Sequence, residues 1–240
     1  MWHVMIVVYA FTIGLLVVAS LCRKDRQKRW GDLVTALILA GTGAASELLL
    51  ELFVRLTPHT IDSSLLGLDA RLGFDPIYWM RAAQGHRFLM ALLLLAYFAL
   101  SWMIAIAWIA EQNHVLRRAV VIAWICCWFF FIAFPAVGPG FYNSASQSSD
   151  WRNCMPSMHF TWALLLAFNA RPLWWRNCLW AYVGLIGMAT IATGQHYLVD
   201  LIAAVPYALG VQWLAQRSLN LATAPSIQPR VIPEGISASG

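Results

Sequence analysis

The chain has 240 residues, 60% of them apolar and 11% charged, with a mean hydropathy of +0.65. A soluble domain carries about a quarter charged residues, so this composition excludes a soluble catalytic domain. The net charge of +5 sits in short loops, where basic residues signal membrane topology rather than a nucleic-acid surface. The expected class is all-α, a polytopic transmembrane helical bundle of about seven spans.

The apolar residues come in blocks near the ~20 needed to cross a bilayer. In chain order the expected spans are 2–21, 31–51, 88–110, 116–134, 157–170, 177–194 and 197–215. The first is followed by the basic cluster Arg23, Lys24, Arg26, Lys28 and Arg29, and no small-residue cleavage site follows it, so it reads as an anchor. The second carries Gly41, Gly43, Ala44, Ala45 and Ser46, a small-residue face for close helix packing. The loop 52–87 contains the mixed run from Leu65 to Phe74, too short to span, which is expected to lie in the interface as one or two amphipathic helices. Phe134-Pro135-Ala136-Val137-Gly138-Pro139-Gly140 breaks the fourth span. The fifth is short unless it borrows Leu173, Trp174 and Trp175. The expected organisation is residues 1–50 as N-terminal spans, 51–216 as the membrane core, and 217–240 as a flexible tail.

The positive-inside rule puts the basic cluster in the cytoplasm. Alternating spans then put Arg117, Arg118, Arg171, Arg176, Arg217 and Arg230 on the same side, so eleven of the 16 Lys and Arg lie inside. Arg55, Arg71, Arg81, Arg87 and Arg152 fall outside. His159, His196 and Asp200 then all face the outer side. The five cysteines show no CxxC or other metal-ligand spacing, and Cys154 has no same-side partner for a disulfide.

Three ionisable groups stand at the mouths of apolar stretches. His196 and Asp200 open the last one, in Gly194-Gln195-His196-Tyr197-Leu198-Val199-Asp200, and His159 opens an earlier one, in Cys154-Met155-Pro156-Ser157-Met158-His159. Histidine is a nucleophile or proton donor near neutral pH, and a carboxylate four residues along a helix shares its face. Phosphoryl transfer needs a nucleophile, an acid on the leaving oxygen, and donors for the non-bridging oxygens. His196 oriented by Asp200 fits the first role and His159 the second. The helix start after Pro156-Ser157, with Arg152, fits the third. Ser157 is first a helix N-cap and second a phosphate ligand. Tyr197 reads as an interfacial anchor.

Pro156-Ser157-Met158-His159 resembles the second motif, PSGH, of the type 2 phosphatidic acid phosphatase superfamily. His196-Tyr197-Leu198-Val199-Asp200 resembles the His-x3-Asp end of its third motif, SRxxxxxHxxxD. The run Thr190 to Asp200 is closer still to the inositol phosphorylceramide synthase (aureobasidin-resistance) branch, with its T-x-x-x-G-x-H-Y-x-x-D pattern. The Asp69…Gly73-Phe74 loop and the Pro135…Gly138-Pro139 break are similar to that branch too. The first superfamily motif, KxxxxxxRP, has no counterpart, and the SR pair falls at Ala189-Thr190. The resemblance implies His196 as nucleophile, Asp200 as its orienter, His159 as acid on the leaving alcohol, and Arg152 with Ser157 on the phosphate. It further implies a lipid phosphate substrate, water or a polyol such as inositol as acceptor, and neither metal nor other cofactor. The expected setting is a bacterial inner (plasma) membrane, with the catalytic face extracytoplasmic.

Two other classes compete. A transporter would use His159, His196, Asp200, Glu47 and Glu51 as a proton or ion relay, which predicts ionisable groups at the bilayer midplane. A metalloenzyme would use His159, His196 and Asp200 as ligands, although no HExxH is present.

Overall fold

The computed structural model describes residues 61–110, 114–142 and 155–223, with scattered positions before residue 61. The first two expected spans, apart from a few scattered positions, lie outside the described residues. So do the basic cluster, Glu47, Glu51, Cys22, Arg152, Cys154 and the chain beyond 223.

Among the described residues the fold is all helical. The helices are α1 (Asp62–Arg71), α2 (Pro76–Gln84), α3 (Arg87–Ala110), α4 (His114–Ala133), α5 (Pro139–Tyr142), α6 (Met158–Asn169), α7 (Leu173–Ala192) and α8 (Leu198–Thr223). Helix α3 is an unbroken apolar run without Gly or Pro. In hydrocarbon such a run satisfies its backbone only as a helix. Helix α4 stops before Pro135, which disfavours helical backbone in the residue ahead of it. Helix α2 starts at Pro76 with Asp75 as its cap, whose carboxylate accepts from the N–H groups of Ile77 and Tyr78 at 2.9 and 3.0 Å.

Among the described residues, three helices are long and apolar enough to cross a membrane: Arg87–Ala107, His114–Ala133 and Leu198–Leu221. Helix α6 has 12 residues, about 18 Å of length at the usual rise, well short of a ~30 Å hydrocarbon core. Helix α7 has the length, but Trp174, Trp175, Arg176 and Asn177 lower the hydropathy of its first turns. The last expected span is longer than anticipated. Helix α8 runs on to Thr223, past position 217, where the tail was expected to begin.

The short helix α6 is the centre of the bundle. It packs against α3, α4, α7 and α8, and Met158, Thr161, Ala163 to Ala167 and Asn169 are all buried. A helix apolar all round needs such a surround. Its far end is tied to α8 by a reciprocal amide pair. Asn169 Nδ2 donates to Gln212 Oε1 at 2.8 Å, and Gln212 Nε2 donates back to Asn169 Oδ1 at 3.2 Å. The outer faces of α3, α4 and α8 carry exposed Leu92, Leu95, Ile106, Ile125, Phe129, Ile202, Leu209 and Trp213. So large an apolar surface is what a lipid-embedded bundle presents.

Helices α1, α2 and α5 cap one end of this bundle: α1 touches α8 and α5, and α2 touches α3, α5 and α7. The run Leu65–Phe74, expected to be helical, is mostly α1, and α2 follows it within the same loop. The orientation of α1 differs from that of an ordinary amphipathic surface helix. Its buried residues are Asp62, Leu65 and Asp69, while Leu68 and Leu72 are exposed. The acids turn inward because the backbone N–H groups that need them lie inside.

Candidate active site

The capped end gathers the start of α6, the end of α7 and the start of α8. Helix α7 ends at Ala192, and Thr193 to Tyr197 make the turn into α8. His196 therefore sits in a turn rather than on the helix face shared with Asp200. The two still meet. His196 Nδ1 lies 3.4 Å from Asp200 Oδ2, and both side chains are buried. The contact arises because Asp200 occupies the first turn of α8 and reaches back, also accepting from the Tyr197 N–H at 2.8 Å. This is the backward half of a capping box. Nδ1, rather than Nε2, is the ring nitrogen that faces the carboxylate.

Ser157 joins the two motifs. Its N–H donates to the Asp200 carbonyl at 3.3 Å, which fixes the start of α6 against the start of α8. Its hydroxyl caps α6, accepting from the Phe160 N–H at 3.4 Å, and the residue is fully buried. Two residues on, His159 is half-buried and within electrostatic reach of His196. Its ring stacks on Tyr97 of α3, with centroids 4.1 Å apart and planes 24° apart. The Tyr97 hydroxyl lies 3.1 Å from His159 Nδ1 and donates its proton to Gln195 Oε1.

Two carboxylates absent from the sequence-based site hold this end together. Asp69 accepts from the Leu198 and Val199 N–H groups at 2.9 and 3.0 Å. It thereby caps α8 from another helix, 129 and 130 positions away in sequence. Burial raises its carboxyl above the usual range, the two N–H bonds pull it back down, and nearby Asp200 raises it further. Asp62 accepts from the Val137 N–H at 3.1 Å, the Gly138 N–H at 3.0 Å and the Tyr197 hydroxyl at 2.8 Å. Tyr197 is fully buried, so it is not the interfacial anchor expected. A buried phenol needs a partner for its O–H, and Asp62 supplies it.

The Pro135–Gly140 break supports the same turn. The Gly140 N–H donates to the Gly194 carbonyl at 2.8 Å. Gly138 and Gly194 have φ of +90° and +71°. A Cβ on Gly138 would stand 2.5 Å from the Gln195 carbonyl oxygen, so both backbone conformation and space demand glycine.

The structure thus brings together His159, Ser157, His196 and Asp200. Arg152 lies outside the described residues. The positions of the missing SR pair are closed to a ligand: Ala189 and Thr190 are fully buried, and the Thr190 hydroxyl donates to the Gly187 carbonyl at 2.9 Å. The N–H groups of Leu198 and Val199 are taken by Asp69, so they do not serve a phosphate. Among the described residues, no three His, Cys, Asp or Glu side chains are grouped to hold a metal, so the metalloenzyme reading has no geometric support. Nor does the relay reading gain any, since the described ionisable set is gathered at one end of the bundle.

Sequence reasoning missed Tyr97, Gln195, Asp62 and Asp69 as parts of this end. One signal was available for Tyr97: a phenol inside an apolar run needs a hydrogen-bond partner. For Asp62 and Asp69 it was the seven-residue spacing, which puts two acids on one helix face.

No curated protein and no solved structure matches the chain. The family model for the PAP2 superfamily matches residues 63–214, more than half of the chain, a range that includes Asp69, Tyr97, Ser157, His159, His196 and Asp200. The chain belongs to the PAP2 superfamily, a group of membrane phosphatases and phosphotransferases.

Proposed function

We propose that the protein cleaves a lipid phosphate ester at the outer membrane face through a phosphohistidine on His196. The observation that carries this is the His196 Nδ1 contact with Asp200 Oδ2 at 3.4 Å beside His159. It is an oriented nucleophile next to an acid, both at the mouth of a membrane bundle.

In the first step His196 Nε2 attacks phosphorus and a P–N bond forms. The P–O bond to the lipid alcohol breaks, its electron pair stays on the leaving oxygen, and His159 delivers a proton there. Asp200 accepts from the His196 Nδ1–H and stabilises the cationic ring. In the second step His159, now neutral, takes a proton from the acceptor hydroxyl. The acceptor oxygen attacks phosphorus, the P–N bond breaks, and both histidines return to their starting state. The acceptor is water in a phosphatase and an inositol-like polyol in a transferase. The match of Thr190 to Asp200 with the inositolphosphotransferase pattern favours the polyol. Arg152 and Ser157 are the proposed phosphate ligands; Ser157 would act through the start of α6, because its hydroxyl already caps that helix. About seven spans and a cytoplasmic basic cluster complete the topology.

The test is incubation of the purified protein with a panel of labelled phospholipids, with and without inositol, separating released phosphate from new lipid product. Wild-type turnover that survives chelation, is blocked by vanadate and vanishes in His196→Ala supports the reading. Full activity in His196→Ala overturns it.

A further inference from the structure

We infer that Tyr97, anchored by Gln195, is a positioning residue that sets which nitrogen of His159 carries the transferable proton. This rests on the acid–base role proposed above for His159. A phenol has one proton, and the Tyr97 O–H gives it to Gln195 Oε1. The Tyr97 oxygen can then only accept toward His159, whose Nδ1 lies 3.1 Å away. Nδ1 must therefore carry a hydrogen, and Nε2 is the atom that gains and loses a proton.

The consequence runs through both chemical steps. As an acid, the His159 imidazolium gives up its Nε2 proton to the leaving oxygen. The neutral ring that remains has its hydrogen on Nδ1, still bonded to Tyr97, and Nε2 is already unprotonated to accept the acceptor's proton. No tautomer change intervenes. Asp200 imposes the same polarity on His196 through its Nδ1, so both imidazoles present Nε2. Tyr97 also stacks on the His159 ring, and an aromatic face favours the cationic form. The two anchors come from separate elements. Tyr97 is buried in α3 at 4% exposure, and Gln195 is the residue before the nucleophile. The contacts through Tyr97 therefore tie the acid to the residue next to the nucleophile.

Tyr97→Phe keeps the stacked ring and removes only the hydroxyl, and Gln195→Met removes the acceptor while keeping side-chain length. Two readouts separate positioning from packing. The first is kcat/KM, which reports phosphoenzyme formation, for a short-chain phosphatidic acid and for p-nitrophenyl phosphate. The alkyl leaving group needs an acid, and p-nitrophenolate does not. Loss of a hydrogen bond to a charged ring predicts about a 10–100-fold fall with phosphatidic acid in Tyr97→Phe, against less than about 3-fold with the aryl ester. Gln195→Met, which frees the Tyr97 proton to point at Nδ1, should show the same selectivity. Equal losses on both esters would mean a merely structural role and overturn the inference.

The second readout is two-bond 15N–1H NMR of histidine-labelled protein, with His159 assigned by His159→Asn. Neutral His159 is expected as the Nδ1–H tautomer in wild type and as a mixture or the Nε2–H tautomer in Tyr97→Phe. An Nε2–H tautomer in wild type sinks the inference whatever the activity. If instead the tautomer is as expected but His196→Ala retains full turnover, the functional reading fails and the tautomer assignment stands.

Discussion

Gly194→Ala should be among the most damaging one-carbon changes in this protein. Gly194 ends the turn out of α7 with φ of +71°, a region that costs an L residue about 1–2 kcal/mol. The added Cβ would also stand 2.5 Å from Met80 Sδ, 2.8 Å from Gly140 Cα and 3.1 Å from Gly140 N. The methionine can swing aside, but the Gly140 backbone is held by its own hydrogen bond to Gly194. Such overpacking typically costs about 1–3 kcal/mol. The sum is roughly 2–5 kcal/mol, a fall in melting temperature of order 10 °C for a chain of this size. Turnover should fall further than stability requires. Gln195 and His196 follow directly, and a misplacement of order 1 Å at a nucleophile can cost about 100-fold. Tryptophan-fluorescence melting in detergent and lipid phosphate turnover are the assays. Gly184→Ala is the control: Gly184 is exposed on α7 with open space around it, and alanine there should gain about 0.5–1 kcal/mol. Met80→Ala combined with Gly194→Ala should recover part of the loss, since it removes one of the clashes and leaves the φ cost. A Gly194→Ala protein that melts within about 1 °C of wild type and turns over normally refutes the argument.

The remaining expectations concern the carboxylates. Asp200→Asn should keep the fold but lose roughly 100- to 10,000-fold in turnover, by analogy with other carboxylate–histidine pairs; a loss below about 5-fold would remove Asp200 from the mechanism. Tyr197→Phe should cost about 1 kcal/mol, while Asp62→Ala should cost about 3 kcal/mol or more, because it orphans the Tyr197 hydroxyl and the N–H groups of Val137 and Gly138. Equal melting temperatures for the two variants would show that Asp62 does not tie these elements together. Asp69 carries a pH signature. Its folded carboxyl is raised above the usual value of 3.8, so the folded state binds its proton more readily than the unfolded chain. That contribution is fully present below 3.8 and lost as pH rises through the raised value. Wild type should therefore lose melting temperature relative to Asp69→Asn as pH rises from the acid side toward neutrality. A wild type that gains on Asp69→Asn over the same range would show that the N–H bonds to Leu198 and Val199 outweigh burial.

Local pattern was enough to read the apolar helices among the described residues and the spacing that brings His196 to Asp200. Helices α3 and α4 fall within two residues of their expected limits. A span-length apolar run can satisfy its backbone in lipid in one way only, and proline or a polar loop ends it. His196 and Asp200 meet because four residues separate them, a distance the chain closes at any helix start. Helix α6 shows where this logic stops. Its apolar residues mark a helix, but its place at the centre of the bundle, and hence its tolerable shortness, depends on four neighbours.

The frame around His159 and His196 came from contacts that no window of sequence contains. Tyr97 reaches His159 across 62 positions, and Tyr197 reaches Asp62 across 135. Asp69 lay in a run expected to be interfacial, and Asp62 lies just ahead of that run. Folding turns them inward, where they accept from the N–H groups of the first turn of α8 and of the Val137-Gly138 turn. The pairing of His196 with Asp200 was thus a matter of local spacing. The hydrogen-bond partners around His159, by contrast, come from distant parts of the chain.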